Sequence, residues 1–480
     1  MEHKLLNRNM IEFGILIILY RVMCDVAYKF IILRDYAHLF YKDNSSVLTM
    51  ILSWVMMLAV SPVIYLIWRD KDTTISGLVM LIISLMYVVP FTTMFAFGQV
   101  RNGFVIFNIV YWAAFYGVYF LVHRFIGGSN PIKPVKKAEE LITKRQSDYP
   151  MMFLALFFGL VVIYLAGRYG GFRLIFDILD VYEYRYEMKG DDIPTVLSYF
   201  LSWSGTVNAI LGCYFIIRKK YVWTVFCFEI QLISFGYTGL KTTLFLFVAA
   251  VIISFLPKII SENVKKWILR GFAGCSAACL AVFAVIKNSV PASLFFRRMM
   301  FFPVQISDNY YDFFTSHEPD FFRQSFLRYF GFTSPYPEIQ YMIGDAYYSP
   351  EISEGIRSVY PLKEYTAATE FPVTIAHANT GLISDAIVNL GIAGLIVFPI
   401  LLVIVLKLLD VTSVKLDLRI VLAVSLYVTF MLQSSFLFTV LLTHGVMITI
   451  VIMAFMRRGD AEKDAESKDK PKIINAKEAS

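Results

Sequence analysis

The sequence predicts an all-α polytopic integral membrane protein with about twelve transmembrane helices and one large extracytoplasmic loop between the ninth and tenth helices. Two observations carry this prediction. The chain is 58% hydrophobic and only 17% charged, whereas a soluble protein is nearer half apolar and a quarter charged. Apolar windows of about 20 residues, the length that crosses a hydrocarbon core, recur along the chain. A backbone that crosses lipid must satisfy its own hydrogen bonds, which selects helices.

The predicted spans fill most of the first 287 residues and resume after residue 382. They lie at residues 10–33, 46–68, 74–98, 103–122, 150–168, 195–217, 221–238, 240–257, 268–287, 383–406, 419–437 and 440–456. The domain division follows from these windows: spans one to nine in 1–287, a large extracytoplasmic loop at 288–382, spans ten to twelve in 383–456, and a polar tail at 457–480. The tail has almost no large apolar residues, so we expect it to be disordered.

Orientation follows from the lysines and arginines of the short loops, which favour the cytoplasm. The basic groups that fall on one side are Arg69 and Lys71, the stretch 124–145, residues 218–220, the stretch 258–270, and the stretch 407–419. We therefore expect this side, with both termini, to be cytoplasmic. The opposite side then holds a smaller loop at 169–194 and the large loop at 288–382.

The loop at 288–382 is the most informative feature of the sequence. It is about 95 residues long and rich in aromatic residues, whereas a simple connection between two spans needs only a few residues. Arg297 and Arg298 lie near its start, flanked by phenylalanines. Guanidinium groups bind phosphate oxygens bidentately, so these arginines are candidates for a lipid-linked pyrophosphate. Contact with lipid headgroups is the alternative.

The end of this loop supplies the candidates for proton transfer. His377 and Asn379 come just before the tenth span, and Asp385 lies within its first turns. A carboxylate within the membrane is a candidate functional group, because its burial is costly. The pKa of histidine lies near neutral pH, so histidine is suited to proton transfer. The alternative is that His377 and Asp385 only cap the helix.

Lys241 follows a glycine-flanked turn, residues 236–239, in a predicted helical hairpin. The lysine and the two threonines after it could hold a phosphate at the membrane surface. A lysine that only extends its amine to the interface is the alternative.

Other features exclude several function classes. All five cysteines lie in apolar segments, no C-x-x-C occurs, and the histidines lack metal-ligand spacing, so the sequence predicts no metal site, cofactor or disulfide. The net charge of +7 comes from loop residues and does not indicate nucleic-acid binding. Arg21 and Asp25 are spaced to neutralise one another within the first span.

Taken together, these features resemble the Wzy-type oligosaccharide repeat-unit polymerases, also called O-antigen polymerases. The resemblance rests on four places: residues 182–187, with Arg185; residues 238–242, with Lys241; Arg297-Arg298 with Pro303 and residues 310–314; and residues 378–382 leading into Asp385 and residues 389–394. Family members often have arginine where this chain has Lys241.

The resemblance implies a multi-pass glycosyltransferase of the bacterial cytoplasmic membrane. It would join undecaprenyl-pyrophosphate-linked repeat units on the outer face, without nucleotide sugar or metal, to make O-antigen, capsule or a related surface polysaccharide. Arg297 or Arg298, with Arg185 and Lys241, would bind the pyrophosphate, and Asn379 would contact substrate. His377 or Asp385 would act as the base or orient the acceptor. A chain-length regulator and a flippase are partners that the resemblance leaves open.

Three alternatives remain at this stage. An O-antigen ligase would share the donor and architecture but transfer to a lipid-A core. A flippase would need charges spread through many spans, whereas the sequence suggests charges at the outer ends. A metal-dependent lipid-linked glycosyltransferase would want an acidic pair in its first outer loop, where Asp35 and Asp43 are widely spaced.

Overall fold

The computed structural model describes residues 2–126, 132–144, 147–169, 193–239, 241–257, 263–336, 339–340, 342–344, 347 and 378–458. These residues form helices and connections, with no strand among them, so the predicted all-α fold is confirmed. The longer helices are α1 (Glu2–Ala27), α2 (Val47–Arg69), α3 (Ile75–Ala96), α4 (Asn102–Phe125), α5 (Lys133–Thr143), α6 (Tyr149–Tyr169), α7 (Thr195–Ile217), α8 (Tyr221–Thr238), α9 (Lys241–Ser254), α10 (Val264–Ile286), α11 (Phe302–Thr315), α12 (Ile383–Leu390), α13 (Gly394–Ser413), α14 (Leu418–Ser434) and α15 (Val446–Phe455).

Seven of the described helices are long and apolar enough to cross a membrane: α2, α3, α4, α6, α7, α10 and the stretch Ile383–Ser413 that contains α12 and α13. Three shorter apolar helices accompany them, at Thr243–Ser254, Leu418–Ser434 and Val446–Phe455. The protein is therefore helical with several apolar segments of membrane-spanning length. The count of twelve spans and the orientation of the termini stay predictions.

The chain divides into two compact units. Unit 1 comprises Met1–Pro131, Phe255–Asp410 and Leu422–Met447, and unit 2 comprises Ile132–Ser254, Val411–Val421 and Ile448–Ser480. Four of the predicted site residues that the structure describes, Arg297, Arg298, Asn379 and Asp385, belong to unit 1.

Helix α3 lies at the centre of unit 1 and is buried along its whole membrane-spanning window. A helix that is apolar all round requires this surrounding, and α1, α2 and α10 supply it. The fully buried Arg21 side chain of α1 ties this core together, because it donates to Thr92 Oγ1 of α3 at 2.7 Å and to Ser53 Oγ of α2 at 3.3 Å. Arg21 also forms the predicted ion pair with Asp25.

Close approach of helices builds unit 2. A Cβ added to Gly205 or Gly212 of α7 would lie 2.8 Å from Thr243 Cγ2 or 2.7 Å from Phe247 Cε2 of α9. Small residues permit this spacing between helices. The predicted turn between α8 and α9 ends α8 at Gly239, whose φ of +65° glycine adopts without strain.

The polar residues of unit 1 gather at two separate ends. The Arg297 end contains the start of α2, the start of α4 and the chain from Ser289 to Asp320. The Lys407 end contains the end of α2, the start of α3, and His123, Lys265 and Lys407. Helix α2 begins at the first end with a capping box on Ser46 and ends at the second with Arg69.

Part of the predicted loop at 288–382 is helical. Residues Ser293–Phe301 form a π-helical segment that continues into α11, and Leu327–Phe330 form a 3₁₀ turn. Buried Phe296, Met300 and Val304 explain this, since their spacing of four places them on one helix face against unit 1. That periodicity is visible in the sequence.

Candidate functional site

Arg297 and Arg298 lie on the π-helical segment at the Arg297 end of unit 1. Arg297 is half-buried: its Nε donates to Ser293 Oγ at 2.8 Å, and its guanidinium lies 5.0 Å from the centre of the Tyr36 ring. Arg298 is exposed. Within the part of the chain that the structure describes, neither arginine has a carboxylate at ion-pair distance. No described carboxylate therefore neutralises either cation.

The loop after α1 packs against Arg297. The Tyr36 hydroxyl lies 3.3 Å from Ser289 Oγ, and the exposed His38 follows Tyr36 by two residues. Partial desolvation, with the nearby charge of Arg297, lowers the pKa of His38 below its ordinary value of 6.5. The imidazole is therefore neutral at pH 7 and can accept a proton. Reasoning from the sequence missed His38, because nothing in its spacing connects it with Arg297.

A second group of polar residues surrounds the predicted motif at 378–382. Ser307 of α11 accepts from Ser384 Oγ at 2.8 Å and lies 3.4 Å from Thr380 Oγ1. The Tyr310 hydroxyl donates to the carbonyl of Ala378 at 3.0 Å. These bonds fix the start of the motif to α11.

The end of α14 joins the arginines to this motif. Gln433 Nε2 donates to the carbonyl of Met299 at 2.8 Å, one residue after Arg298. A Cβ on Gly381 would collide with the carbonyl oxygens of Leu432 and Ser435 at the same helix end. Glycine is required there because two backbones approach closely.

Asp385 is buried, and both of its carboxylate oxygens accept hydrogen bonds. Asn389 Nδ2 donates to Oδ1 at 2.5 Å, and the backbone N–H of Leu437 donates to Oδ2. Asn389 Oδ1 in turn accepts from the N–H of Phe322 at 2.9 Å. The carboxylate thus connects the start of α12 with the segments that contain Leu437 and, through Asn389, Phe322. This geometry favours a role for Asp385 in positioning the chain over a role as the catalytic base.

Backbone strain accompanies this arrangement. Leu382, Phe321 and Phe322 have φ values of +54°, +52° and +61°, which bulky residues rarely adopt. The N–H of Phe321 donates to the carbonyl of Asn389 at 3.2 Å. Strained residues that persist next to a polar network occur preferentially at functional sites.

Asp308 and Asp312 of α11 bind Arg101 at the start of α4. Arg101 Nη1 lies 2.5 Å from Asp308 Oδ2, and Arg101 Nη2 lies 2.9 Å from Asp312 Oδ2. Burial raises the pKa of Asp308 to about 6, although the charge of Arg101 opposes the rise. The hydroxyl of Tyr347 donates to Asp312 at 2.7 Å. Reasoning from the sequence missed this network, which fixes α11 against α4.

The other predicted residues divide as follows. Asn379 is exposed between buried Ala378 and Thr380. His377 and Arg185 lie outside the described residues. Lys241 begins α9 of unit 2, and its side chain also lies outside the described part.

The acidic residues of the first predicted outer loop have separate partners. Asp35 binds Arg34, whose Nε lies 2.6 Å from Asp35 Oδ1, and Asp43 binds Lys29. These bonds lower the pKa of both carboxyl groups. No group of three or more His, Cys, Asp or Glu side chains that could hold a metal ion occurs among the described residues.

We expect Asp385→Ala to lower the free energy of unfolding by ~3 kcal/mol, because it leaves the buried N–H of Leu437 without an acceptor and leaves the Asn389 amide only its weaker bond to the main-chain carbonyl of residue 385. Asp385→Asn keeps one acceptor oxygen, so its free energy of unfolding should fall by less. Thermal unfolding in detergent measures both. If Asp385→Ala unfolds at the same temperature as the wild type, Asp385 does not position these segments.

No family model, curated protein or solved structure matches this chain. The functional argument therefore starts from its own residues. These are the two arginines without a described carboxylate partner, the neutral His38 beside Arg297, and the polar network that fixes residues 378–389.

Proposed function

We propose that the protein is a glycosyltransferase that polymerises undecaprenyl-pyrophosphate-linked oligosaccharide repeat units on the outer face of the bacterial cytoplasmic membrane. One observation carries the proposal: Arg297 and Arg298 are adjacent cations at one end of an apolar helical unit, with no described carboxylate partner. The resemblance to Wzy-type polymerases supplies the substrate class. O-antigen, capsule or a related surface polysaccharide is the expected product.

The two arginines suit a pyrophosphate for physical reasons. Arg297 is oriented by Ser293 and by the ring of Tyr36, so less side-chain freedom is lost when it binds. Arg298 is exposed and can reach a second phosphate. Guanidinium groups bind phosphate oxygens through paired N–H donors. The pair can therefore hold a lipid pyrophosphate that enters from the surrounding bilayer.

The proposed reaction needs a leaving group and a base. The acceptor hydroxyl oxygen attacks the anomeric carbon of the donor, a new glycosidic bond forms, and the bond from that carbon to the pyrophosphate oxygen breaks. Arginine charge stabilises the departing undecaprenyl pyrophosphate, and a neutral imidazole takes the hydroxyl proton.

Two histidines are candidates for the base. His38 lies close enough to Arg297 for that charge to act on it, and desolvation, the larger cause, lowers its pKa below 6.5. His377 directly precedes Ala378, whose carbonyl and N–H are bonded to Tyr310 and Gln340.

Asp385 positions the 378–389 segment. Asn379, exposed in that segment, would contact the glycan, and Arg185 and Lys241 stay proposed phosphate ligands.

A flippase or transporter for the same lipid is a second candidate, because one observation favours it. The sequence placed Lys407 in a cytoplasmic loop, whereas Lys407 and Asp410 form a buried ion pair within α13, 2.9 Å apart. The helix continues past the predicted end of the span at residue 406, and the pairing makes this burial tolerable. Charged residues therefore lie at the Lys407 end of unit 1 as well as at the Arg297 end. A ligase shares every feature above except its acceptor.

The first test removes the proposed phosphate ligands. Arg297→Ala with Arg298→Ala should reduce elongation of purified lipid-linked repeat units by about 100-fold or more, because leaving-group charge is no longer stabilised. Arg297→Lys with Arg298→Lys should retain part of the rate. Gel analysis of the product chain lengths measures the effect.

The matched control for this test is Arg124→Ala with Arg328→Ala, which removes two exposed basic side chains of unit 1 outside the segments that carry the proposed phosphate ligands. This control should elongate normally. Normal chains from the Arg297/Arg298 double alanine variant would show that phosphate recognition lies elsewhere. Transport of the lipid without any elongation by the wild type would favour the flippase.

The second test concerns the base. Because the pKa of His38 is lowered below 6.5, the neutral form persists through pH 7, and the rate should fall only as the pH drops through that lowered pKa. His38→Ala should lower the rate by about 100-fold at pH 7 and remove this acid limb. A pH–rate profile of both proteins measures this. An unchanged rate and profile for His38→Ala would assign the base to His377.

The third test separates the metal-independent mechanism from its metal-dependent alternative. Elongation by the purified protein should persist in excess EDTA, because arginine charge and an imidazole supply the chemistry. Loss of activity in EDTA that magnesium or manganese restores would contradict this mechanism.

A further inference from the structure

A cavity of about 520 Å³ opens at the Lys407 end of unit 1, away from the proposed glycosyltransferase site. Its walls come from the ends of α2 and α4 and from Asn9 of α1. Arg69 and Lys71 lie at its polar side, His123 and Tyr119 line it from α4, and Leu66 and Phe120 supply apolar surface. The cavity therefore combines a cationic side with an apolar side.

Buried ion pairs lie beside the cavity and account for its acidic residues. Lys407 Nζ donates to Asp410 Oδ2 at 2.9 Å and to Ser76 Oγ at 3.0 Å. Lys265 Nζ lies 3.3 Å from Asp70 Oδ2 and donates to the Asp70 carbonyl at 3.0 Å. Asp70 and Asp410 are thus each matched by a buried lysine.

Arg69 and Lys71 are two further cations at the cavity, and the exposed carboxylate of Asp72 offsets only one of them. Both are exposed, and neither has a carboxylate at ion-pair distance among the described residues. The guanidinium of Arg69 lies 5.6 Å from the centre of the Tyr65 ring, which orients it beside the cavity. This charge complements an anion.

His123 adds a hydrogen-bond donor to the cavity wall. Lys407 Nζ lies 2.8 Å from His123 Nδ1, and because an ammonium group can only donate, Nδ1 must accept. The proton of the neutral imidazole is then on Nε2, which is free to donate to a phosphate oxygen. Asp70 Oδ2, at 3.9 Å, is too far for a direct hydrogen bond.

The cavity also borders apolar surface of the membrane-spanning helices. Leu66 of α2 is 40% exposed, and Leu121, next to Phe120 on α4, is 63% exposed. Acyl chains can cover such surfaces, while a free phosphate ion would leave them in contact with solvent. Basic pockets between helices at a membrane surface bind anionic headgroups in this manner.

We propose that this cavity binds the headgroup of an anionic phospholipid. Arg69 and Lys71 would pair with its phosphate, His123 Nε2 would donate to a phosphate oxygen, and the acyl chains would follow the exposed faces of α2 and α4. The site belongs to unit 1 alone and does not depend on the proposed glycosyltransferase activity.

The test measures lipid retention by native mass spectrometry of the purified full chain. Protein in detergent is mixed with phosphatidylglycerol or with phosphatidylcholine. The wild type should retain phosphatidylglycerol preferentially, and Arg69→Gln with Lys71→Gln should weaken that preference about tenfold. Adding His123→Phe to this double variant should weaken the preference for phosphatidylglycerol further. Thermal unfolding of each variant without added lipid confirms that it is folded.

The matched control is Lys136→Ala with Lys137→Ala, which removes two exposed lysines from α5 and should leave retention unchanged. Equal retention of both lipids by the wild type, or undiminished preference in the Arg69/Lys71 variant, would overturn the proposal. Displacement of phosphatidylglycerol by millimolar inorganic phosphate would overturn it too, because the site would then recognise a free anion.

Discussion

Burying an unpaired charge in an apolar helical protein costs free energy. The packing of the other helices therefore depends on which oppositely charged side chain lies next to each buried charge. Removing one partner of a buried ion pair costs about 3–5 kcal/mol. Arg21 is matched by Asp25, Lys407 by Asp410, and Lys265 by Asp70. In the first two pairs both residues come from one helix, so the match is made as the helix forms.

Arg297 and Arg298 have no carboxylate partner among the described residues, although Arg297 is half-buried. The segment that carries them is fixed by ordinary packing: Phe296 and Met300 are buried, and Gln433 bonds to the Met299 carbonyl. Packing explains why the segment is ordered, but it does not explain two adjacent cations with no described counter-ion. The proposed pyrophosphate ligand would balance both charges, which is the physical basis of the functional proposal.

Helix positions were predictable from the sequence because runs of apolar residues and basic connections are local signals. The Arg21–Asp25 pair was predictable for the same reason, since its residues are one turn apart. The relation of His38 to Arg297, and of Arg101 to Asp308, was not predictable, because each joins segments more than 200 residues apart in the chain. The role of Asp385 also required the structure, since its acceptor bonds come partly from Leu437.

The most direct measurement is a cryo-electron microscopy structure of the protein in a lipid nanodisc with an undecaprenyl-pyrophosphate-linked repeat unit bound. The account predicts pyrophosphate oxygens within about 3 Å of the Arg297 or Arg298 guanidinium, the distance of a charge-assisted hydrogen bond. A pyrophosphate bound away from both arginines would contradict it. So would an ion pair between these arginines and a carboxylate of the chain in the presence of substrate.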